Sequence, residues 1–487
     1  MARNALRGDM LELAAPRTGA PYDCIAFRLL SPGVTMSGIL NSMAVTHLEP
    51  IRHLYVHVPF CAQKCSYCAF YSEPSSGEVI NRYVEALVRE LNVVAHDLRP
   101  RTIFFGGGTP SLLNLRQWEQ ILKTMERLEL LGAEEWTVEC NPATVSFEKA
   151  RLLRSYGVNR ISMGVQSLNE SLLERLGRVH SRDMVFKSFD ILRRAGFDNL
   201  NLDLMFAIPG QTLEVWRDTL SEAMGMGSEH LSCYEVIYEE GTALYAQLKA
   251  GEFDEDEELA CAMYDELVER ATYAGFQQYE VANFATNRSR KSGAGSQEPE
   301  QQSYDLRNGG EELGVTGRDA QAKCHEHDET RSAKCSILYL QSSTLGEQYL
   351  HLPAHACRHN VNYWRGGSFY GLGPSATSYV RGVRTKNWSN TQLYCELVEA
   401  GKQLAESREE LPPLARAGET AAFGLRMIAG WPFEQFREVT GHDLRQNWAE
   451  EMTRLNQQGW GRFTQERFQL TPQGLRFADA AAQLFLR

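Results

Sequence analysis

No apolar run in this chain approaches the roughly 20 residues that a membrane span requires, so an integral helical membrane protein is excluded and only peripheral membrane contact stays open. Long basic blocks are missing too, with 50 Lys and Arg against 62 Asp and Glu and a formal net charge of −12. Phosphate binding needs a basic footprint, so the charge balance disfavours a nucleic-acid partner. The 11 cysteines, spread over 487 residues, do not space as a disulfide framework; thiols of this kind belong in a reducing cytoplasm. Near the start, Arg3, Arg7, Arg17 and Arg28 are interrupted by Asp9 and Glu12. No apolar stretch of about 7–15 residues follows them, unlike a secretory signal. Residues 1–50 read as a disordered N-terminal extension, and Met43 just ahead of the first strand makes 1–42 dispensable to the fold.

What is present is concentrated. Cys61, Cys65 and Cys68 fall in the run Pro59-Phe60-Cys61-Ala62-Gln63-Lys64-Cys65-Ser66-Tyr67-Cys68, a C-x3-C-x2-C spacing. An iron-sulfur cubane normally takes four thiolates. A loop that supplies three leaves one iron open to a small molecule, as catalytic zinc sites keep one position open. Zinc is the alternative for these thiols, although no fourth ligand lies nearby.

From about residue 52, short apolar runs alternate with amphipathic ones, the pattern of a parallel α/β arrangement. Strands are expected at Leu54–Val58, Thr102–Phe105, Trp136–Cys140, Arg160–Val165, Leu200–Ala207 and Leu231–Ile237, with helical patterns such as Arg82–Leu91 and Trp118–Leu128 between them. Such units close into a barrel or partial barrel, here a partial (β/α)6 barrel, whose active site gathers at the C-terminal strand ends. The motifs obey that rule. The cysteine loop follows the first strand, Gly106-Gly107-Gly108 the second, Glu139 ends the third, Gln166 follows the fourth and Asp203 lies in the fifth. Glycines there let backbone approach a ligand, and the two carboxylates suit an amine or ribose hydroxyls; each carboxylate alone would read equally as a solvated strand end.

These phrases, with Tyr55-Val56-His57-Val58-Pro59-Phe60, Gly106 to Ser111, Glu139-Cys140-Asn141-Pro142, Ser162-Met163-Gly164-Val165-Gln166-Ser167, Gly177-Arg178, and Asp203-Leu204-Met205 ahead of Ile208-Pro209-Gly210-Gln211-Thr212, resemble the radical S-adenosylmethionine (SAM) superfamily. Over about residues 52–284, and again from 358, the resemblance is to its oxygen-independent coproporphyrinogen oxidase family. It implies a [4Fe-4S] cluster on Cys61, Cys65 and Cys68. It also implies SAM held by Tyr55, Tyr67, Gly107, Gly108, Thr109, Glu139, Gln166, Arg178 and Asp203. Reduction of SAM by such a cluster gives methionine and a 5'-deoxyadenosyl radical, the cofactors carrying the difficult step.

Two branches diverge at one position. The coproporphyrinogen III dehydrogenases of heme biosynthesis carry a further cysteine two residues after the third, where this chain has Phe70. The C-x-F ending resembles the HemW-type heme chaperones, as does Arg358-His359-Asn360-Val361-Asn362-Tyr363-Trp364, which matches the H-N-x-x-Y-W motif associated with heme binding there. The following Tyr370-Gly371-Leu372-Gly373-Pro374-Ser375-Ala376 departs from the pattern at Pro374 and Thr377. That branch implies heme as a cofactor, hemoproteins (including membrane respiratory enzymes) as recipients, and a homodimer. His359 is either an axial heme ligand or a hydrogen-bonded structural histidine beside Tyr-Trp; Cys357 is a second candidate ligand. With no C-x-x-C-H, thioether attachment is not indicated. A radical SAM enzyme acting on RNA is a third reading, disfavoured by charge.

Residues 286–357 interrupt the family pattern with a polar insertion rich in Gly, Ser, Gln, Glu, Asp and Arg, expected to be disordered. Cys324-His325-Glu326-His327 with Cys335 lacks the paired halves of a zinc motif. Residues 358–410 read as a barrel-associated segment. Residues 411–487 read as a small helical, winged-helix-like domain, with helices at Ala421–Met427, Phe433–Val439 and Leu444–Leu455, a hairpin of Gly461–Phe463 with Phe468–Leu470, and a last helix opened by Thr471-Pro472. Its expected task is to cover the barrel mouth or shape a dimer.

Overall fold

A computed structural model describes residues 49–74, 76–287 and 352–487. Of the stretches expected to be disordered, 1–50 and 286–357, residues 1–48 and 288–351, with the Cys324–Cys335 group, lie outside the described residues; the insertion's two ends are ordered instead, Thr286 N donating to Glu229 O, His355 N to Thr286 O, and Cys357 being buried.

Six parallel strands form the frame: β1 (Ile51–Val58), β2 (Leu98–Gly107), β3 (Glu135–Cys140), β4 (Arg160–Gln166), β5 (Leu200–Phe206) and β6 (His230–Glu235). They lie side by side in chain order, as right-handed strand-helix-strand units dictate. Between them run α1 (Gly77–Val94), α2 (Leu115–Arg127), α3 (Phe147–Ser155), α4 (Glu170–Arg175), α5 (Arg182–Arg194) and α6 (Leu213–Gly225). Side chains from all six strands line one cavity, so the sheet curves around a common interior. After β6 come α7 (Ala243–Lys249) and α8 (Glu257–Tyr273), and then β7 (Gln277–Gln278) and β8 (Asn283–Ala285). β8 closes the β6 edge in antiparallel fashion.

Each crossover helix starts and docks for visible reasons. Ser76 caps α1 by accepting from Val79 N, and Asn114 with Gln117 makes a reciprocal capping box on α2. α1 buries Ile80, Tyr83, Leu87 and Leu91 on one stripe, at about 1.5–3 kcal/mol for each large side chain. The strands show the alternation that decides the interior. On β4, Ile161, Met163 and Val165 are buried in the hydrophobic core, and Leu200, Leu202 and Leu204 do the same on β5. The intervening Arg160, Ser162, Asn201 and Asp203 line the cavity. With a period of two, one apolar face serves the helices and one polar face serves the barrel.

The segment from 358 is more than an appendage. α9 (Arg358–Trp364) seats its first turn on the Glu135 carboxylate, which accepts from Arg358 N at 2.9 Å and His359 N at 3.0 Å. Glu135 opens β3, so α9 plugs the N-terminal end of the barrel. β9 (Tyr370–Leu372) then joins β1 in parallel and completes a nine-stranded sheet. β10 (Thr377–Val380), β11 (Val383–Asn387) and β12 (Ala405–Glu410) form a separate antiparallel sheet that the sequence pattern did not reveal. α10 (Thr391–Glu399) packs on α1, where buried Glu90 accepts from Gly373 N, Tyr394 OH and Asn387 Nδ2.

In the C-terminal part, α11 (Pro413–Gly424) lies N-terminal to the expected Ala421–Met427 helix. The single expected helix 444–455 is two, Leu444–Asn447 and Ala449–Gln457, broken at Trp448. The hairpin stands as β14 (Gly461–Phe463) with β15 (Arg467–Leu470), and β13 (Trp431–Pro432) adds a third strand. Trp431, Trp448, Phe436, Phe468 and Phe485 make its core. This domain docks on α9 and on residues 279–281: Arg365 Nη1 donates to Gly430 O, Val281 N to Arg426 O and Ile428 N to Tyr279 O.

Candidate functional site

The cysteine loop leaves β1 at Pro59 and is pinned at both ends. Cys61 N donates to Glu73 O and Glu73 N to Pro59 O, while Ser66 N donates to Leu176 O. All three thiols are half-buried. Thr109 Oγ1 lies 3.5 Å from Cys61 Sγ, and Arg178 Nη1 donates to Cys65 Sγ at 3.4 Å. Burial raises the Cys68 thiol, and the neighbouring Cys65 and Cys61 add to the shift. Among the described residues no three His, Cys, Asp or Glu side chains converge on a single metal ion. A cubane gives each thiolate its own iron, and three half-buried thiols on one loop fit that group.

The glycine loop beside it is shaped by close approach. A Cβ on Gly108 would sit 2.7 Å from Phe60 O and 2.8 Å from Phe60 N, because Gly108 N and Thr109 N donate to Val58 O and Phe60 O. Gly107 has φ +103°, and a Cβ there would meet the His57 ring at 2.5 Å. These glycines first admit the chain's own cysteine loop, and only then a ligand. Lys149 tightens the region from behind by donating to the Ser111 and Thr144 carbonyls.

Behind the loops lies a cavity of about 230 Å³. Tyr55, Gly107, Glu139 and Asp203 line it as expected, with Phe70 and with Asn360 of the H-N-x-x-Y-W motif; Phe104, Arg160, Ser162, Asn201, Ser232 and Tyr234 do so without having been assigned a role. The missed polar residues carried a signal, namely a polar side chain at every second position of strands whose other positions are apolar. Glu139 accepts from Gly107 N at 3.3 Å. Burial, reinforced by Asp203, raises its carboxyl to about 8. Asp203 accepts from Ser162 and Asn201 and is raised by burial to about 6. Both face the cavity rather than bulk water, so exposure does not relieve them. Tyr55 donates to His57 Nδ1 at 3.0 Å, which leaves His57 Nε2–H for Tyr71 O. Gln166 ends β4 with φ +67°, a strained position at a register shift, and Arg178 Nη2 donates to Gly164 O beside it. Tyr67 packs with the Leu172–Leu176–Met205 cluster next to Arg178. Of the residues expected around SAM, Tyr55, Gly107, Glu139 and Asp203 line the cavity, while Tyr67, Gly108, Thr109, Gln166 and Arg178 lie at the cysteine loop and the C-terminal strand ends without lining it. A cluster with SAM would supply one-electron chemistry there; the protein's own residues orient the ligand and exclude water.

His359 is placed elsewhere, and the ligand expectation for it is corrected. It is 1% exposed at the plugged end. Its Nδ1 lies 2.7 Å from Thr102 Oγ1, a hydroxyl shared with His53, and its Nε2 lies 2.7 Å from Tyr363 OH. Phe104 stacks on its ring at 5.3 Å. An axial ligand needs one ring nitrogen unengaged and facing open space, and His359 has neither. Cys357 is equally enclosed; its thiol points to Glu135 and is pushed by burial up to about 12. Only Asn360 of the motif reaches the cavity. By contrast Phe70, at the position that separates the two branches, is 69% exposed at the mouth.

Two family models match: the radical SAM superfamily over residues 55–223 and the HemN C-terminal domain over 411–477. The chain is 28% identical to the heme chaperone HemW of Lactococcus lactis over 441 residues, covering 90% of this chain and 98% of that protein. HemW of Bacillus subtilis is also 28% identical over 442 residues, 90% and 99% of the two chains. The mitochondrial radical S-adenosyl methionine domain-containing protein 1 of Danio rerio is 35% identical over 239 residues, 48% of this chain and 54% of that one. Among solved structures, coproporphyrinogen III oxidase (HemN) from Escherichia coli superposes with a TM-score of 0.67 at 19% identity, covering 90% of each chain. Cluster loop, strand-end site and C-terminal domain therefore agree with these likenesses: the chain carries a radical SAM domain and a HemN C-terminal domain and is similar over nearly its whole length to the HemW-type heme chaperones.

Proposed function

We propose that this protein is a heme chaperone that holds a [4Fe-4S] cluster on Cys61, Cys65 and Cys68, binds SAM at the strand ends and carries heme to hemoproteins. The observation that carries the reading is Phe70. The C-x3-C-x2-C loop ends in an exposed aromatic ring at the cavity mouth, where the porphyrinogen-oxidising branch carries a thiol, and the HemW relatives match this chain over nearly their whole length. Gly107, Gly108 and Thr109 place the SAM backbone contacts, Glu139 and Asp203 its hydroxyls or amine, Arg178, Gln166, Tyr55 and Tyr67 its remaining groups. Among the described residues no helix is long and apolar enough to cross a membrane. The setting proposed is the reducing cytoplasm, with homodimers delivering heme to respiratory enzymes by peripheral contact at a membrane.

The test is anaerobic reconstitution with iron, sulfide and SAM, addition of one equivalent of heme, and Soret absorption after gel filtration. Stoichiometric retention with no decarboxylation of coproporphyrinogen III is the expected result. Turnover of coproporphyrinogen without heme retention would replace the reading with the dehydrogenase, which shares the fold.

A further inference from the structure

The cavity floor holds a cation whose partner has not been named. Arg160 opens β4, is 2% exposed, and its Nε is buried without an acceptor among the described residues. Burying a guanidinium with an idle N–H is costly unless an acceptor arrives. The neighbouring carboxylates are committed elsewhere. Glu135 accepts from the Arg358 and His359 amides of α9, and Asp203 from Ser162 and Asn201. They act on Arg160 through space, with Cys357 and Tyr279, against the penalty of burial. Asn360, carried on the same α9, faces the cavity beside it.

We propose that Arg160 forms a carboxylate subsite at the floor of the barrel cavity, receiving the acid group of a ligand arm that enters past Phe70. Arg suits this task because its planar fork pairs with both oxygens of a carboxylate. The cavity, at about 230 Å³, is smaller than the roughly 300–1,000 Å³ that encloses a whole drug-sized ligand. It therefore takes an arm and leaves the ligand body at the mouth, against the exposed faces of Phe70 and Tyr234. Resting on the heme reading, the arm is a propionate; the methionine end of SAM carries the same chemistry.

Two ligand pairs separate these sources. Heme is compared with its dimethyl ester, and SAM with its decarboxylated analogue, on the cluster-loaded protein and on Arg160→Gln and Arg160→Lys. The expected result is at least a tenfold preference of the native protein for heme over its ester, lost in Arg160→Gln and partly kept in Arg160→Lys. A preference confined to the SAM pair and dependent on Arg160 supports the subsite with the methionine carboxylate as its occupant. Equal binding within both pairs, or a preference that Arg160→Gln leaves unchanged, overturns the proposal. Because the native protein alone can give equal binding, misfolding of a variant does not shelter it. If the native protein retains neither heme nor ester, the chaperone reading fails separately, and the SAM pair still decides the subsite.

Discussion

Glu139 and Asp203 show how one residue's surroundings turn into a measurable pH dependence. In an unfolded chain both would ionise at about 4, whereas in the folded protein burial, reinforced at Glu139 by the Asp203 charge, holds protons up to about 8 on Glu139 and about 6 on Asp203. The folded state binds more protons within that window, so the stability of the ligand-free protein falls as pH rises from about 4 to about 8. Glu139→Gln should flatten the upper part of that slope in thermal melts. SAM affinity should move the opposite way, rising from pH 6 to 8.5 as the carboxylates ionise to meet hydroxyl and amine groups; in Glu139→Gln calorimetry should find no dependence above pH 7. His359 gives the contrasting case. Removing a buried ring held by two hydrogen bonds and an aromatic stack should cost about 3 kcal/mol in denaturant unfolding, while heme titration of the protein that remains folded should be unchanged. Lost heme binding at undiminished stability would restore His359 as a ligand. The carboxylates were legible in the sequence because each sits in a motif at a strand end; the role of His359 was not, since an H-N pair beside Tyr-Trp serves a packed corner and a ligand alike.

Among elements, all six barrel strands fell within a few residues of their expected limits. Their signal is local: apolar runs bounded by turns. Edges moved where pairing extends a strand beyond its apolar core, as β2 does from Thr102 back to Leu98, where it pairs with Ile51. The antiparallel sheet of β10 to β12 was invisible because its strands are polar and half-exposed, so nothing alternates; its stability comes from cross-strand pairing that no single segment reveals. The glycine loop and the cysteine loop form one element pair. Gly108→Ala would push a methyl against Phe60 backbone at 2.7 Å, an overpacking expected to cost about 1–3 kcal/mol. Iron and sulfide per chain after reconstitution should fall well below the native value, with the far-ultraviolet circular dichroism preserved.

At the scale of the whole molecule, α9 plugs the N-terminal end of the barrel and the C-terminal domain packs on α9. Arg365, buried over the Trp431 ring at 4.6 Å and donating to Gly430 O, ties them. Arg365→Ala should therefore raise amide exchange across Arg358–Trp364 and Met427–Trp431 by tenfold or more, and leave exchange in the cysteine loop unaltered. Equal effects at both ends would mean that the plug also orders the mouth. The sequence by itself determined the cysteine loop, the barrel strands and the likeness to radical SAM proteins, because a cluster, a phased strand and a glycine turn each impose residue types over a few neighbouring positions. Tertiary structure alone decided that the C-terminal domain docks on α9, that the H-N-x-x-Y-W helix is a plug, and that Arg160 faces a cavity floor. Those outcomes depend on burial and hydrogen-bond pairing between residues such as Glu135 and His359, more than two hundred positions apart, where no local pattern can say which group satisfies which.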